Sequence, residues 1–316
     1  MADPTLYQIA IHGGAGTIPL ASMAPGEADV HHQGLREALA AGHHVLAEGG
    51  PALEAVTVAV MALEDNPLFN AGHGAVYTAA GVQEMDAAVM DGATRRVGAV
   101  TGISGPRNPV QAARAVMEHS PHVLLAGEGA LAFLRAHGVP FEDAPYFHTA
   151  RRWDALQRML AGRARTDADR HGTVGAVASD RHGHLAAATS TGGMTGKMPG
   201  RIGDSPLPGA GTWADEACAV SATGHGESFI RIAAAHELSA RLRLAGENLD
   251  TACAAVMAAL ANIGGDGGLI AIDRTGAIAM PFNSQGMYRG MITANGVAQT
   301  GIDRAPLRAH AALTPP

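Results

Sequence analysis

The sequence predicts a mixed α/β fold in which antiparallel β-sheets are covered by helices on their outer faces. One observation is that residues 173–191 and 268–283 share a hairpin format, with Asp-Arg-x-Gly at each turn. The other is that hairpins outnumber strand–helix–strand crossovers along the chain. Antiparallel pairs of this kind favour a layered arrangement over a doubly wound parallel sheet.

The first half of the chain is predicted to hold a strand, a hairpin and five helices. The strand is LYQIAIHGG, which runs into a glycine loop, and the hairpin over 86–104 turns at Asp91-Gly92. Apolar spacing places the helices at 29–48, 51–65, 108–120, 121–138 and 151–162. Residues 162–172 are charged, and we expect no regular structure there. The stretch 140–172 as a whole is long for a loop in a compact domain, and such loops are usually functional or disordered.

The second half changes to strands at Thr173. Two helices, over 227–246 and 249–265, separate the two hairpins.

Amino-acid composition and net charge argue against several classes of protein. The 316 residues are enough for one large or two small domains, and 47% hydrophobic against 16% charged residues excludes a disordered chain. A net charge of −7 without a basic tract argues against a nucleic-acid partner. There is no apolar run of about 18 residues for a membrane helix. There is also no signal-peptide pattern at the start, and Cys218 and Cys253 form no CxxC motif, so a cytoplasmic protein is expected.

Sixteen histidines raise a different possibility, a non-catalytic metal-binding protein. The sequence contains no HExxH or other zinc motif. We therefore expect the paired histidines to lie on solvated helix faces or in an exposed turn. They are His31-His32, His43-His44 and His182/His184.

Thr173 begins its strand directly after a glycine and a charged stretch. A threonine hydroxyl is a poor nucleophile unless a base lies beside it, and an N-terminal threonine can use its own α-amino group. That amine has a reference pKa of about 7.7–8.0 and is a suitable base near neutral pH. If Thr173 is such a nucleophile, the Gly172–Thr173 bond must first be cut. The alternative is an ordinary strand threonine.

Several glycine-rich segments lie elsewhere, and none has the P-loop or dinucleotide-binding pattern that would cradle a phosphate. In chain order the distinctive segments are IHGGAG, LFNAGHGAVYT, EMDAAVMDG, RNPVQAARAVMEHSPHVLLAGEGA, GTVGAVA, ATSTGGMTGKMPGRIGDSPLPGAG, ATGHGE, GGLIAID and PFNSQGMYRG. Together they resemble the plant-type L-asparaginase/isoaspartyl peptidase family of the N-terminal nucleophile hydrolases. The resemblance covers nearly the whole chain apart from about 140–170.

The resemblance implies a four-layer αββα sandwich with mainly antiparallel sheets, formed by residues 1–316 as one domain. It implies a precursor that cleaves itself between Gly172 and Thr173, which gives an α subunit of residues 1–172 and a β subunit of residues 173–316. Members of the family usually assemble as dimers of such αβ units.

The resemblance also implies roles for individual residues. Thr173 matches the nucleophile, Thr191 the residue that holds its hydroxyl, and Asn70 an asparagine near its amine. Thr223 and Gly224 match the oxyanion hole, which binds the developing negative charge. From the residues alone, Thr191 and Asn70 are equally typical of strand ends and turns.

Arg201 and Asp204 match a substrate clamp in which the arginine binds an α-carboxylate and the aspartate binds an α-ammonium group. Taken alone, an Arg-x-x-Asp spacing is typical of a surface ion pair worth less than about 1 kcal/mol. Four residues adjacent to the clamp and to the oxyanion hole complete the expected substrate contacts. They are Ile202, Gly203, His225 and Gly226.

No catalytic cofactor is implied, but a structural sodium ion is. It would be held by main-chain carbonyls of the segment LEDNPLFNAGH, so side-chain identity tests this expectation weakly. The matching positions are Leu63, Glu64, Asn66, Phe69, Ala71 and His73.

The expected function is an autoprocessed amidohydrolase that cleaves β-aspartyl dipeptides and hydrolyses L-asparagine to L-aspartate and ammonia. The nearest alternative is a glycosylasparaginase of the same superfamily. Those enzymes usually carry Asp before the nucleophile, where this chain has Gly172.

Overall fold

The computed structural model describes residues 7–16, 18, 23–162 and 172–312, and these form a mixed α/β fold. The charged stretch 162–172 was predicted to lack regular structure, and its residues 163–171 lie outside the described residues. None of the helices within the described ranges is long and apolar enough to cross a membrane.

Nine strands of the described chain form the larger sheet. Their spatial order is β13 (Arg308–Ala309), β12 (Gln299–Gly301), β11 (Gly286–Thr293), β1 (Gln8–Gly16), β5 (Val174–Ser179), β6 (Leu185–Thr191), β2 (Met85–Asp91), β3 (Val97–Ile103) and β4 (Leu124–Ala126). Each neighbouring pair is antiparallel except β3 and β4, which are parallel.

Four further strands of the described residues form the smaller sheet, all of them antiparallel. Their order is β10 (Ile278–Ala279), β9 (Gly267–Asp273), β8 (Cys218–Gly224) and β7 (Thr212–Ala214). Strands of the two sheets contact each other, with β5 and β6 of the larger sheet against β8 of the smaller.

The described helices begin and end as follows: α1 Glu27–Ala47, α2 Ala52–Glu64, α3 Pro109–His119, α4 Gly127–Ala136, α5 Ala144–Phe147, α6 Ala150–Leu160, α7 Gly226–Ile232, α8 Ala234–Leu244 and α9 Leu249–Asn262. Helices α1, α2 and α3 pack on the larger sheet, whereas α7, α8 and α9 pack on the smaller. Each sheet is therefore covered by its own set of helices.

Three clusters of buried apolar residues fill these interfaces. The first joins the larger sheet to its helices and includes Leu35, Leu63 and Val174. The second joins the smaller sheet to its helices and includes Phe229 and Leu260. The third lies between the two sheets and includes Val177, Ile270 and Met287.

The shared Asp-Arg-x-Gly turns have a common physical cause. In the first hairpin Asp180 Oδ1 accepts hydrogen bonds from the backbone N–H groups of His182 and His184, at 2.9 and 3.0 Å. In the second, Asp273 Oδ1 accepts from Thr275 and Ala277 in the same way, at 2.8 and 3.0 Å. Each turn also needs its glycine, because Gly183 and Gly276 have φ values of 74° and 87°. These two predicted hairpins are confirmed. The hairpin predicted over 86–104 is confirmed as well, because β2 and β3 pair in antiparallel fashion.

Two predicted helices differ from the structure. Residues 121–138 were expected to form one helix, but their first part is strand β4, paired with β3 through Ala99 and Leu124. Helix α4 begins directly after the strand at Gly127, whose φ of 62° marks the change of direction. The helix expected over 227–246 is divided into α7 and α8, because Ala233 adopts a left-handed conformation with φ 47°.

The expectation that His31 faces solvent is wrong. Its side chain is buried, Nδ1 lies 2.8 Å from the carbonyl oxygen of Glu27, and the ring stacks on Tyr288 with 4.6 Å between centroids. Strand β11, which carries Tyr288, packs against α1 and covers the face of the helix on which His31 lies.

Candidate active site

Thr173 lies immediately before β5, in the centre of the larger sheet, and the chain runs into it from Gly172. The segment is tightly enclosed. A Cβ atom at Gly172 would lie 2.9 Å from Cβ of Asn70, and one at Gly14 would lie 3.0 Å from Cα of Gly172. Because Gly14 also has φ 116°, the close approach of β1 to the Gly172–Thr173 bond requires glycine at both positions.

The hydroxyl of Thr173 is held by Thr191, at the end of β6. Thr173 Oγ1 donates to Thr191 Oγ1 at 3.1 Å, and the backbone N–H of Gly193 donates to the same oxygen at 2.9 Å. Thr191 Oγ1 in turn donates to the carbonyl oxygen of Gly172 at 3.0 Å. The predicted nucleophile and its predicted partner are therefore in direct contact.

Asn70 gives the Gly172 carbonyl a second donor. Its Nδ2 lies 2.7 Å from the Gly172 carbonyl oxygen and 2.7 Å from that of Gly193, while its Oδ1 accepts from the N–H of Val76. Negative charge that develops on the Gly172 oxygen would thus meet two hydrogen-bond donors, an arrangement that favours attack on this carbonyl.

Thr223 and Gly224 are the last two residues of β8. The N–H of Ala15 donates to Thr223 Oγ1 at 3.0 Å, which leaves the hydroxyl hydrogen of Thr223 for another acceptor. Gly224 has φ 147°, and a Cβ there would lie 2.4 Å from the carbonyl oxygen of Asp266. Glycine is required at this position, and it lines the same cleft as Thr173.

A small cleft brings the nucleophile and the predicted clamp together. Its lining residues are Gly172, Thr173, Thr191, Gly193, Met194, Arg201, Gly203, Asp204, Ser205 and Gly224. Four of the predicted substrate contacts are absent from this lining: Ile202, which is exposed, His225, which is half-buried, and Thr223 and Gly226, which are buried. His225 contacts Glu227 instead, with Nε2 3.3 Å from its carboxylate.

Arg201 and Asp204 do not form the surface ion pair that their spacing suggests. Arg201 donates from Nε and Nη2 to both carboxylate oxygens of Glu227, at 2.9 and 2.8 Å. These hydrogen bonds lower the pKa of Glu227 to about 2. Glu227 fixes the guanidinium in the cleft, and sequence reasoning assigned it no role although the ATGHGE segment contains it.

Asp204 is buried, and burial raises the pKa of its carboxyl to about 7. Among the described residues its Oδ2 has no hydrogen-bond partner. A Cβ at Gly226 would lie 2.7 Å from Oδ1 of Asp204 and 3.1 Å from Nη2 of Arg201, so glycine is needed for the backbone to pass this close. The carboxyl is available to a cationic ligand group.

The predicted sodium segment folds back over the end of α2. A Cβ at Gly72 would lie 2.6 Å from the Glu64 carbonyl oxygen, and one at Gly74 would lie 2.0 Å from that of Phe69. The carbonyl oxygens of Glu64 and Phe69 therefore lie close to these two glycines. The side chain of Glu64 points elsewhere: Oε1 accepts from the N–H of Val110 at 2.9 Å.

No three His, Cys, Asp or Glu side chains among the described residues group together as a metal site. The His-rich metal-binding alternative thus finds no support in the described chain.

A buried cation and anion beneath the cleft were also missed by sequence reasoning. Lys197 donates from Nζ to the carbonyl oxygen of Glu84 at 2.7 Å, and its side chain covers Gly193. Asp86, which pairs with Thr191 across β2 and β6, accepts from Thr101 Oγ1 at 2.7 Å. Burial raises the pKa of Asp86, whereas the charge of Lys197 opposes that rise. Lys197 and Asp86 both lie within segments that resemble the family, and this resemblance could have pointed to them.

Comparison with known proteins places the chain among amide hydrolases. Residues 5–302 match the family model described as asparaginase. An isoaspartyl peptidase of Salmonella typhimurium is 50% identical over 94% of this chain and 98% of its own length. An isoaspartyl peptidase of Escherichia coli is 48% identical, over 94% and 96% respectively. A plant-type L-asparaginase of Pyrococcus abyssi is 41% identical, over 89% and 95%.

Proposed function

This chain belongs to the asparaginase family, and on that premise we propose that it is an autoprocessed amidohydrolase that cleaves β-aspartyl dipeptides and hydrolyses L-asparagine. One observation carries the proposal: the Thr173 hydroxyl, hydrogen-bonded to Thr191, shares a cleft with Arg201 and Asp204. A nucleophile is thereby combined with one group for a carboxylate and one for an ammonium ion.

Self-cleavage would be the first reaction. Thr173 Oγ1 attacks the carbonyl carbon of Gly172, and Asn70 Nδ2 and the Thr191 hydroxyl stabilise the charge on the carbonyl oxygen. The C–N bond breaks as the acyl group moves from nitrogen to oxygen, and the departing nitrogen takes up the proton that the hydroxyl has lost. An ester and a free Thr173 amine result. Water then hydrolyses the ester, giving an α subunit of residues 1–172 and a β subunit of residues 173–316.

Substrate hydrolysis would reuse the same hydroxyl. The freed amine of Thr173 takes the hydroxyl proton while Oγ1 attacks the side-chain carbonyl of the substrate. The Thr223 hydroxyl and the Gly224 N–H stabilise the oxyanion, and each such donor is typically worth about 10²–10³ in rate. The amine passes its proton to the leaving ammonia or amino acid, and water hydrolyses the β-aspartyl ester to release aspartate.

The clamp would orient the substrate. With Nε and Nη2 of Arg201 bound to Glu227, the remaining Nη1 edge is available to the α-carboxylate. Asp204 would bind the α-ammonium group, and the amide would then lie beside Thr173. Because only the aspartyl end is held, the other side of the amide can carry ammonia or an amino acid.

We extend the proposal to architecture and assembly. The three core clusters support an αββα sandwich of the N-terminal nucleophile hydrolase type, formed by one domain. We propose assembly as a dimer of αβ units, which light scattering would test, and a cytoplasmic location stays a prediction.

A sodium ion is proposed for the segment after α2. The carbonyl oxygens of Glu64 and Phe69 lie close to Gly72 and Gly74, and main-chain carbonyl oxygens are ligands that suit a hard cation. The other carbonyls would come from Leu63, Asn66, Ala71 and His73. The ion would supply rigidity to the segment that leads into Asn70, and no step of the reaction passes through it.

The test is intact mass and N-terminal sequencing beside assays of ammonia release and of β-Asp-Leu cleavage. The wild type is expected to give two chains, one starting at Thr173, and to act on both substrates. Thr173→Ala removes the nucleophile from both reactions, so it should stay one chain of about 32.1 kDa and be inactive. Cleavage before residue 173 in this variant, or turnover of N-acetylglucosaminyl-asparagine in preference to β-Asp-Leu, would contradict the proposal.

A further inference from the structure

His12, on β1, contacts the nucleophilic residue through its main chain. Its Nδ1 lies 2.9 Å from the carbonyl oxygen of Thr173, and its Nε2 lies 2.8 Å from Oγ of Ser221 on β8. Burial lowers the pKa of His12 to about 3, so the imidazole is neutral and carries one hydrogen. Since a carbonyl can only accept, Nδ1 bears that hydrogen and Ser221 donates to Nε2.

The hydrogen bonds continue beyond Ser221 in one direction. Ser221 Oγ lies 2.7 Å from Oγ1 of Thr189, which must donate because the Ser221 hydrogen is used on His12. Thr212 Oγ1 lies 2.6 Å from Thr189 Oγ1 and 2.9 Å from the carbonyl oxygen of Ser205. Thr212 has one hydroxyl hydrogen, which it donates to Thr189, the nearer oxygen. The chain of hydrogen bonds therefore runs from Thr212 through Thr189, Ser221 and His12 to the carbonyl of Thr173.

The four side chains of this network come from both sheets and have no exposed surface: His12 and Thr189 from the larger sheet, Thr212 and Ser221 from the smaller. They lie in an interface otherwise filled by apolar residues. Buried polar groups are costly unless they are hydrogen-bonded, and a satisfied network fixes one arrangement.

A glycine makes room for the network. A Cβ at Gly175 would lie 2.0 Å from Oγ of Ser221 and 2.5 Å from Nε2 of His12. Gly175 is also the first residue of β5 that pairs with β1, opposite His12, whereas pairing of β5 with β6 starts at Val174. Thr173 precedes both ladders, so its own carbonyl is held by His12 rather than by the sheet.

We propose that His12 is a positioning residue for Thr173, kept in its Nδ1–H tautomer by Ser221, Thr189 and Thr212. By fixing the Thr173 carbonyl, it limits rotation about the Cα–C bond and keeps both the hydroxyl and the freed amine facing the cleft. This role rests on the proposed function. It matters most after cleavage, when Thr173 has lost its bond to Gly172.

Two substitutions of His12 separate its two contacts. Asn places an amide nitrogen near the position of Nδ1 and can still donate to Thr173, whereas Gln places its amide near the position of Nε2 and cannot. Each variant is purified and its cleaved fraction is measured by intact mass. The kcat and KM for L-asparagine are then determined per cleaved chain, and thermal unfolding is recorded.

We expect His12→Gln to lower kcat by about 10- to 100-fold with KM nearly unchanged, because a misplacement of about 1 Å near a nucleophile has such an effect. His12→Asn should keep kcat within about fivefold of the wild type, because its amide can still donate to the Thr173 carbonyl. Ser221→Ala, which leaves His12 in place, should give an intermediate loss in kcat, and it serves as the test if His12→Gln does not fold.

Wild-type kcat in His12→Gln, or equal loss in His12→Asn and His12→Gln, would overturn the positioning role. Loss confined to KM in Ser221→Ala would overturn it as well. These outcomes are distinct from failure of the proposed function, which would be seen as a cleaved wild-type protein without amidohydrolase activity.

Discussion

Arg201 lines the cleft, and Glu227 occupies the Nε–Nη2 edge of its guanidinium. Arg201→Ala removes the group for the substrate α-carboxylate. A charge-assisted hydrogen bond is worth about 1.5–3 kcal/mol, so kcat/KM for L-asparagine should fall about 10- to 100-fold.

Self-cleavage should be largely preserved in Arg201→Ala, because the donors to the Gly172 carbonyl are Asn70 and Thr191. Intact mass measures cleavage and ammonia release measures turnover. Arg231→Ala, at an exposed arginine of α7, is the matched control and should match the wild type. Equal kcat/KM in the two variants would remove the clamp role.

Asp204 gives a pH dependence with a definite sign. Because burial raises its pKa to about 7, the carboxyl is charged above that pH and neutral below it. KM for L-asparagine should therefore rise about tenfold between pH 8 and pH 6, as the anion that holds the α-ammonium group is lost.

Succinamic acid, which lacks the α-amino group, provides the control for Asp204. Its KM should not show this rise, and Asp204→Asn should show none with L-asparagine. The same KM–pH profile for both substrates in the wild type would assign the effect to another group.

At the scale of elements, the break between α7 and α8 has a local cause. Ala233 is exposed and adopts φ 47° and ψ 49°, a left-handed conformation that costs a residue with a Cβ about 1–2 kcal/mol. Ala233→Gly relieves this cost and loses no packing. It also raises the entropy of the unfolded chain, so we expect a net gain of up to about 1 kcal/mol in the free energy of unfolding.

Ala240→Gly makes the same change inside α8, where φ is helical, and should instead lower stability by about 0.5–1 kcal/mol. Denaturant or thermal unfolding of both variants measures the contrast. A loss of stability in Ala233→Gly equal to that in Ala240→Gly would contradict the role assigned to the left-handed residue.

At the scale of the whole molecule, the proposed cleavage divides a sheet whose strands are interleaved. Strand β1 of residues 1–172 lies between β11 and β5 of residues 173–316, and β6 pairs with β2. The two products should therefore stay associated after the peptide bond is cut, since separation would expose the core of the larger sheet.

We expect cleaved wild type to give two bands under denaturing conditions, but one peak in gel filtration at the volume of uncleaved Thr173→Ala. Separate elution of the two products without denaturant would contradict this interleaved arrangement.

The sequence by itself determined the elements whose cause is local. The two hairpins follow from Asp180 and Asp273, which bind backbone N–H groups a few residues away. Apolar periodicity likewise predicted α2 within two residues of its observed ends. The family resemblance named Thr173, Thr191, Asn70, Arg201 and Asp204, because the matching motifs contain residues of the types that the proposed chemistry needs.

Only the tertiary structure decided features that depend on partners distant in the chain. Residues 124–126 form a strand because β3 offers a free edge, which outweighs their helical pattern. Glu227 takes the place beside Arg201 that spacing had suggested for Asp204, and His31 is covered by Tyr288. His12 reaches Thr173 across 161 positions of sequence, and a contact of that range leaves no periodic signal in the chain.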